Sequence, residues 1–438
     1  MHSVLTPSRA AARSLGRMRT VALFSLFVVS SGLASASEPA LTLDEAIRLA
    51  VSASASTKAS RASVEASTQV AARADQLPDP MLKVGIDNLP VTGPDRFSPT
   101  ADFMTMRRIG VEQQWVSRDK RQARSARAQR AVEANEGVFL EKVASVREET
   151  GKAWLVVLYK QRALRLAKLI QNEMQQDLGA VAAAHRGAKA SASDVVQARM
   201  ELFQSKDDIN AAEQGLDAAL IGLRRWTRLD VTAVADKAPE LIVHVPNIPP
   251  AELEKFHPAV LNARRSISLA DAETAVAVQD RKPDWSFEAG FAQRGSQYSN
   301  MVSFGVSIPI TVNRAQRQDR DIAEKSALGT KARLEYEDAL VDMQSQIQAL
   351  SSQLANTKNR IAQLKSELLP AAAEQVELAT AAYRSGSGSL TGVFKARRIS
   401  LEKQLQVNEL EKEAALLWAN LELHVISHDM AFATEAGK

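Results

Sequence analysis

His424 and His428 have the residue type and the spacing that come nearest to a metal site in this chain. Side chains four positions apart on a helix lie on one face, and two such imidazoles can chelate a metal ion. Only Glu422 and Asp429 stand near them as further ligands, and the pair lies close to the chain end. This falls short of a complete ligand set, so the sequence predicts no metal ligand and no cofactor.

Catalytic motifs are also missing from the sequence. It contains no cysteine, which excludes a thiolate nucleophile, a thiolate metal site and disulfides. None of the patterns G-x-S-x-G, G-x-G-x-x-G and H-E-x-x-H occurs. The run SGSGS at 385–389 lacks the Gly-Lys-Ser/Thr ending and the preceding strand of a phosphate loop. It is better explained as a turn between helices, and the chain is not expected to be an enzyme.

Residues 1–36 have the composition of a secretory signal peptide. A basic segment precedes the apolar run at 21–29, and Ala34-Ser35-Ala36 supplies a cleavage site. The run is shorter than the roughly 20 residues that a spanning helix needs. Removing Arg9, Arg13, Arg17 and Arg19 with this segment takes the formal charge from +4 to 0. A nucleic-acid partner then loses its main support, which was the positive charge.

The rest of the chain is an internal duplication. Residues 183–199 read AAHRGAKASASDVVQAR, and 198 positions later residues 381–397 read AAYRSGSGSLTGVFKAR. Shorter echoes occur elsewhere, such as IGV at 109–111 and FGV at 304–306. We therefore predict a first repeat at 37–235 and a second at 236–438, each containing a helix, a strand pair and a long helical hairpin.

Long helices dominate both repeats. No proline and few glycines interrupt the stretch from Lys120 to Ala184, which predicts a helix about 100 Å long. Gly187 is expected to close it in a left-handed conformation, and Ser193 or Asp194 to cap the returning helix. The predicted helices are 43–76, 120–184, 192–226, 251–280, 314–384 with a break at Pro370, and 390–426.

Strand patterns lie between the short and the long helices, within 81–116 and 284–311. Apolar side chains at Trp285, Phe287 and Phe291 alternate with small or polar ones, and the pattern at 301–311 is similar. Strands of about 10 residues with one apolar face are typical of a transmembrane β-barrel. A soluble hairpin packed on helices fits this alternation equally well.

Oligomerisation bears on that choice, because an open sheet edge is not tolerated in lipid. A closed barrel takes at least about eight strands. Four predicted strands per chain are too few, whereas three chains would supply twelve strands and twelve helical columns.

The mature chain resembles the TolC-like outer-membrane efflux family over essentially its whole length. The resemblance rests on the opening LTLDEAIRLA (41–50), on the strand ends IGVEQQW and FGVSIPI that lead into long helices, and on the paired tips. The segments 77–95 and 103–115 are most similar to the branch that serves heavy-metal efflux pumps.

This resemblance implies a mainly α fold with a β-barrel. A homotrimer would form a 12-stranded barrel in the outer-membrane lipid and a 12-helix tunnel across the periplasm. It would be a passive conduit for toxic small molecules, heavy-metal cations in this branch. Its expected partners are a periplasmic adaptor of the membrane-fusion class and an inner-membrane pump of the resistance-nodulation-division class.

The resemblance also implies a gate at the periplasmic helix tips. The family's locking Asp falls on Asp194 and its Tyr on Tyr383, whereas Gly388 stands where the lock's Arg would be. From the residues alone, Asp194 is as well explained as a helix N-cap. The other residues expected at the tips are Arg186, Gly187, Arg384 and Gly386.

Two further tip positions depart from the family pattern. Gly392 and Lys395 stand where many members place acidic residues around the aperture, so an acidic ring is not expected. Lys395 either brings positive charge to the neck or forms an ordinary salt bridge in a helix interface. A different class of function, a soluble periplasmic coiled-coil adaptor or structural protein, remains the alternative.

Overall fold

A computed structural model describes residues 40–249 and 252–425 of the chain. These residues belong to one compact unit that begins at Ala40. The predicted signal peptide, His428 and Asp429 lie outside the described residues.

The same kinds of element follow in the same order in each half of the chain. The first half contains α1 (Leu43–Ala53), α2 (Ala55–Arg73), β1 (Met81–Asp87), β2 (Met106–Trp115), α3 (Arg118–Arg186) and α4 (Ala192–Thr227). The second contains α5 (Leu253–Phe256), α6 (Pro258–Asp280), β3 (Trp285–Gln293), β4 (Met301–Ser307), α7 (Gln318–Gln363), α8 (Leu369–Arg384) and α9 (Leu390–Glu422). The division into repeats at residue 235 stays a prediction.

Three elements differ from the sequence prediction. The expected helix at 43–76 is two helices, because Ser54 adopts an extended conformation and its side chain accepts the Thr57 N–H to begin α2. The expected helix at 251–280 begins only at Pro258, after the single turn α5. Strand β4 ends at Ser307 rather than at 311, since Pro309 has no N–H to donate to a sheet.

The long helix of the second half is interrupted close to the predicted place. A π-helical turn, Leu364–Leu368, separates α7 from α8, and Pro370 lies in the first turn of α8. Proline inside a helix removes one hydrogen bond and clashes with the carbonyl four residues earlier. The wider turn immediately before Pro370 relieves that clash while the helical column continues.

Helix α3 is the central support of the fold. It has 69 residues, and α2, α4, α6 and α9 all pack against it. Trp154, Leu155 and Leu158 are fully buried in a cluster shared with α1, α4 and α9. The Trp154 Nε1–H donates to the carbonyl of Leu41 at 2.9 Å, so the start of the described chain is fixed to the middle of α3.

The four strands form one antiparallel sheet in the order β1-β2-β3-β4. Its central pairing joins the two halves, with Ile109 opposite Phe291 and Trp115 opposite Trp285. In the part of the chain that the structure describes, no helix combines the length and the apolarity that a bilayer crossing would need.

Candidate functional site

The turn that ends each long helix has the same backbone geometry in both halves. In the first tip the Lys189 N–H donates to the Ala184 carbonyl at 2.9 Å, and in the second the Ser387 N–H donates to Ala382 at 3.0 Å. Such bonds close a helix end when the residue before the donor is left-handed. That residue is Ala188 (φ 55°) in the first tip and Gly386 (φ 79°) in the second.

The expected left-handed cap at Gly187 is therefore wrong. Gly187 has φ −88°, because α3 continues through Arg186 and the closing turn falls one residue later than predicted. A left-handed alanine costs roughly 1–2 kcal/mol relative to an ordinary conformation. Gly386 meets the same requirement at the second tip without that penalty.

Both returning helices begin at a serine. Ser191 Oγ accepts the Asp194 N–H at 3.1 Å, and the Asp194 carboxylate accepts the Ser191 N–H at 2.9 Å. This is a capping box, so the N-cap is Ser191 rather than Ser193 or Asp194. The Ser191 N–H holds the pKa of the Asp194 carboxyl below its usual range. Ser389 caps α9 in the same way through Gly392, which has no side chain to complete the box.

The proposed lock residues do not meet within one chain. Asp194 bonds to Ser191, and no hydrogen bond joins it to Tyr383 among the described residues. Tyr383 is half-buried one residue before Arg384. Gly388 allows a close turn, because a Cβ there would lie 2.9 Å from the Ala382 Cβ. The lock between Asp194 and Tyr383 stays a prediction.

The two hairpins are packed together close to their tips. Val181 of α3, Ala198 of α4 and Phe394 of α9 form a buried cluster, and the Arg397 guanidinium lies 2.7 Å from Asp177 Oδ1. This ion pair joins α3 of the first hairpin to α9 of the second. Because Asp177 is only 7% exposed, the pair stands largely out of water.

Burial raises the pKa of the Asp177 carboxyl to about 6, although Arg397 opposes the shift. The neighbouring carboxylates of Glu173 and Glu201 add to the rise by repulsion. The second carboxylate oxygen of Asp177 has no hydrogen-bond partner among the described residues. Asp177 is not among the residues predicted from the sequence, although Met174 and Val181 flank it at helical spacing on a buried face.

Lys395 makes no ion pair within the described residues, and its side chain is exposed. The predicted alternative, an ordinary salt bridge of Lys395 in a helix interface, is therefore not found among the described residues. Arg186 and Arg384 are likewise exposed at the two tips.

The sheet presents a continuous exposed apolar face. Leu82, Val84 and Phe304 are 67%, 73% and 83% exposed, and the strand register places them with Ile109, Val111, Phe287 and Phe291 on one side. The interpretation of a hairpin packed on helices is wrong, because these side chains are not covered. A large apolar patch of this kind marks contact with a membrane or another protein.

The opposite face of the sheet carries charges and small residues. Lys83 Nζ lies 2.8 Å from Glu288 Oε2 and also pairs with Glu112. Arg108 bridges Asp87 and Glu288. The two faces therefore match the lipid-facing and water-facing sides of a transmembrane strand set.

The histidines of the described region form no metal centre. His424 Nδ1 bonds to Glu148 Oε2 at 2.6 Å and stacks on His257, with 4.9 Å between ring centroids. Burial lowers the pKa of His257 to about 4, so its ring is neutral at physiological pH. Within residues 40–249 and 252–425, no group of three or more candidate ligands could hold a metal ion.

Comparison with known proteins finds similarity in sequence and in structure. No model of a known protein family matches the chain. The cobalt-zinc-cadmium resistance protein CzcC of Cupriavidus metallidurans is 23% identical over 375 residues, which are 84% of this chain and 85% of that protein.

Two solved structures are similar over most of their length. The structure of CusC, which is described as forming a transmembrane channel, has a TM-score of 0.74 at 14% identity and covers 87% of this chain and 91% of its own. The CmeC outer membrane channel of Campylobacter jejuni has a TM-score of 0.71 at 12% identity and covers 87% and 85%. The predicted fold class, long helices with a four-stranded sheet, is confirmed by these matches.

Proposed function

We propose that this chain is the outer-membrane channel of a tripartite efflux system and conducts its cargo passively. The observation that carries the proposal is the exposed apolar face of the four-stranded sheet. Water-exposed sheets of this size normally place polar side chains outward. A lipid environment explains the exposed apolar side chains, because lipid would then surround them in place of water.

The two outer strands of the sheet support a homotrimer as the assembled form. Strands β1 and β4 each have only one neighbour in the described chain. In lipid, their free N–H and C=O groups would each lose several kcal/mol of hydrogen bonding. Three chains closing β4 of one onto β1 of the next would supply a barrel of twelve strands, and their helices a tunnel below it.

The cargo and the partners are proposed from the similarity to known proteins. CzcC is named for resistance to cobalt, zinc and cadmium, which supports toxic metals as the cargo class. A periplasmic adaptor and an inner-membrane resistance-nodulation-division pump would supply the substrate and the energy. Asp194 and Tyr383 of the assembled trimer would hold the tips closed until the adaptor binds.

The apolar face is tested with a pair of lysine substitutions on neighbouring residues of β4. Phe304→Lys places a charge on the apolar face, and Ser303→Lys places the same charge on the opposite face. A lipid-facing lysine costs about 2–4 kcal/mol near the bilayer centre, so Phe304→Lys should reduce the heat-modifiable trimer in the outer membrane while Ser303→Lys leaves it. Equal effects of the two substitutions would refute a lipid-facing sheet.

The alternative of a soluble periplasmic protein has a direct readout. Such a protein would be extracted from cells without detergent and would migrate as a monomer after mild solubilisation. Either result with the unmodified chain would remove the channel proposal.

A further inference from the structure

The duplicated tip segments hold a concentration of positive charge. Residues 183–199 and 381–397 carry six Lys and Arg side chains against one carboxylate, a formal charge of +5. Residues 37–438 are neutral as a whole, so everything outside the two tips carries −5. Positive charge is therefore concentrated in the tip segments and negative charge in the rest of the chain, although the net charge of residues 37–438 is zero.

Most of this charge is not neutralised locally. Arg397 is paired with Asp177, and the Asp194 carboxylate is held in the capping box of α4. The other five cations are exposed, and none makes an ion pair with another described residue. These five side chains form what we term the basic collar: Arg186, Lys189, Arg199, Arg384 and Lys395.

Carboxylates outside the two tip segments do not neutralise the basic collar, because they lie too far from its cations or already bond to other groups. Glu377 precedes Arg384 by seven residues, which is about 10 Å along a helix. Glu201 accepts a hydrogen bond from Gln197, and its other oxygen is buried. Glu402 pairs with Arg398. At an ionic strength of 0.15 M, charges more than about 8 Å apart are largely screened, so these groups do not cancel the collar.

The fold brings the charges of the two tips into one region. Val181, Ala198 and Phe394 pack the hairpins against each other within a few turns of both tips. In the trimer of the proposed function, three such pairs of tips would surround one opening. A ring of like charge around a narrow opening concentrates counter-ions there and excludes co-ions.

We infer that the basic collar makes the periplasmic entrance of the conduit selective for anions. The inference rests on the proposed function, since it requires a conducting trimer. Anion selectivity would also restrict the form of the cargo. A metal would enter as a complex with anionic ligands rather than as the free hydrated cation.

The local potential can be measured without any conduction. Because the chain has no cysteine, Ser193→Cys introduces a single thiol in the first turn of α4, and Ser352→Cys introduces one in the C-terminal part of α7. The purified full-length protein is treated with a negatively and a positively charged methanethiosulfonate reagent of similar size. The ratio of the two rates reports the potential, because thiol reactivity affects both reagents equally.

A positive collar should make the anion-to-cation rate ratio at residue 193 at least about fivefold higher than at residue 352 in low salt. The difference should disappear in 1 M salt, where the screening length is about 3 Å. Equal ratios at the two sites in low salt would overturn the collar.

Selectivity itself is measured as the reversal potential in planar bilayers under a KCl gradient. The unmodified channel should favour chloride, and the triple variant Arg186→Glu, Lys189→Glu, Lys395→Glu should shift the preference towards potassium by at least about fivefold. The control triple Lys58→Glu, Lys142→Glu, Lys237→Glu changes the net charge equally at exposed unpaired lysines outside the tips. It should leave the preference unchanged.

The two proposals fail in different ways. A trimer that conducts but prefers potassium over chloride contradicts the anion-selective entrance and leaves the channel proposal intact. The same holds if the tip triple variant and the control triple variant show the same ion preference. A chain that is monomeric and gives no conductance contradicts the channel, and the thiol experiment then still decides whether the collar exists.

Discussion

Asp177→Asn should stabilise the protein at neutral pH and remove a pH dependence. In the folded chain the pKa of Asp177 is raised from 3.8 to about 6, and one pKa unit corresponds to about 1.4 kcal/mol. The ionised carboxylate is thus disfavoured on folding by roughly 3 kcal/mol, despite its bond to Arg397. Asparagine has nearly the same shape and stays neutral, so it should recover up to about that amount.

The sign of the pH effect follows from the direction of the shift. A carboxyl whose pKa is higher in the folded than in the unfolded state binds its proton more tightly when folded. Its contribution to the free energy of unfolding is complete below about pH 4, falls as the pH rises to about 6, and is constant above that. The asparagine variant should lack this fall.

The assay is guanidinium unfolding of the detergent-solubilised protein, followed by circular dichroism at pH 4, 5, 6 and 7.5. Asp207→Asn, at an exposed position on α4 nine residues after Ala198, is the matched control and should change little. Arg397→Gln should cost about 3–5 kcal/mol at pH 7.5, because it leaves a buried carboxylate without its cation. If Asp177→Asn is instead less stable than the unmodified protein at pH 7.5 by 2 kcal/mol or more, the reasoning is refuted and the ion pair is a net stabiliser.

Three further predictions concern the tips. Gly386→Ala should lower the free energy of unfolding by about 1 kcal/mol, and Ala188→Gly should raise it by a similar amount. The two substitutions exchange the same residues in opposite directions at equivalent left-handed positions. Chemical denaturation measures both changes, and changes of the same sign would contradict the left-handed geometry. Gly392→Asp should complete the second capping box and add about 1 kcal/mol, whereas Gly392→Ala should gain only the helix-propensity part. Asp194→Ala combined with Tyr383→Phe should raise single-channel conductance, since a charged hydrogen bond of about 1.5–3 kcal/mol would be lost; a conductance that stays unchanged removes the lock.

Much of the architecture could be predicted from local sequence. The helix from Arg118 to Arg186 follows from a long stretch without proline, and the turn at 385–389 follows from its glycines and serines. The alternating strands were predicted within a few residues of their ends. These features depend on interactions between residues close in the chain, so a single sequence contains the information.

The details of the tips could be predicted only in part. The sequence indicates that both hairpins turn near Gly187 and Gly386, but the left-handed residue in the first is Ala188. Likewise, the sequence predicts the cap of α4 at Ser193 or Asp194, whereas the N-cap is Ser191. Alternative cap positions within one turn differ by only about 1 kcal/mol in free energy. Residue preferences alone are too imprecise to decide between them.

The repeated segments, the types of the helices and strands, and the positive charge of residues 183–199 and 381–397 can all be read from the order of residues. The contact of Asp177 with Arg397, the pairing of β2 with β3 and the uncovered apolar face of the sheet become visible in the folded chain. Periodicity and charge are local properties of the chain. Desolvation and long-range pairing, in contrast, depend on which distant segments come to lie beside each other.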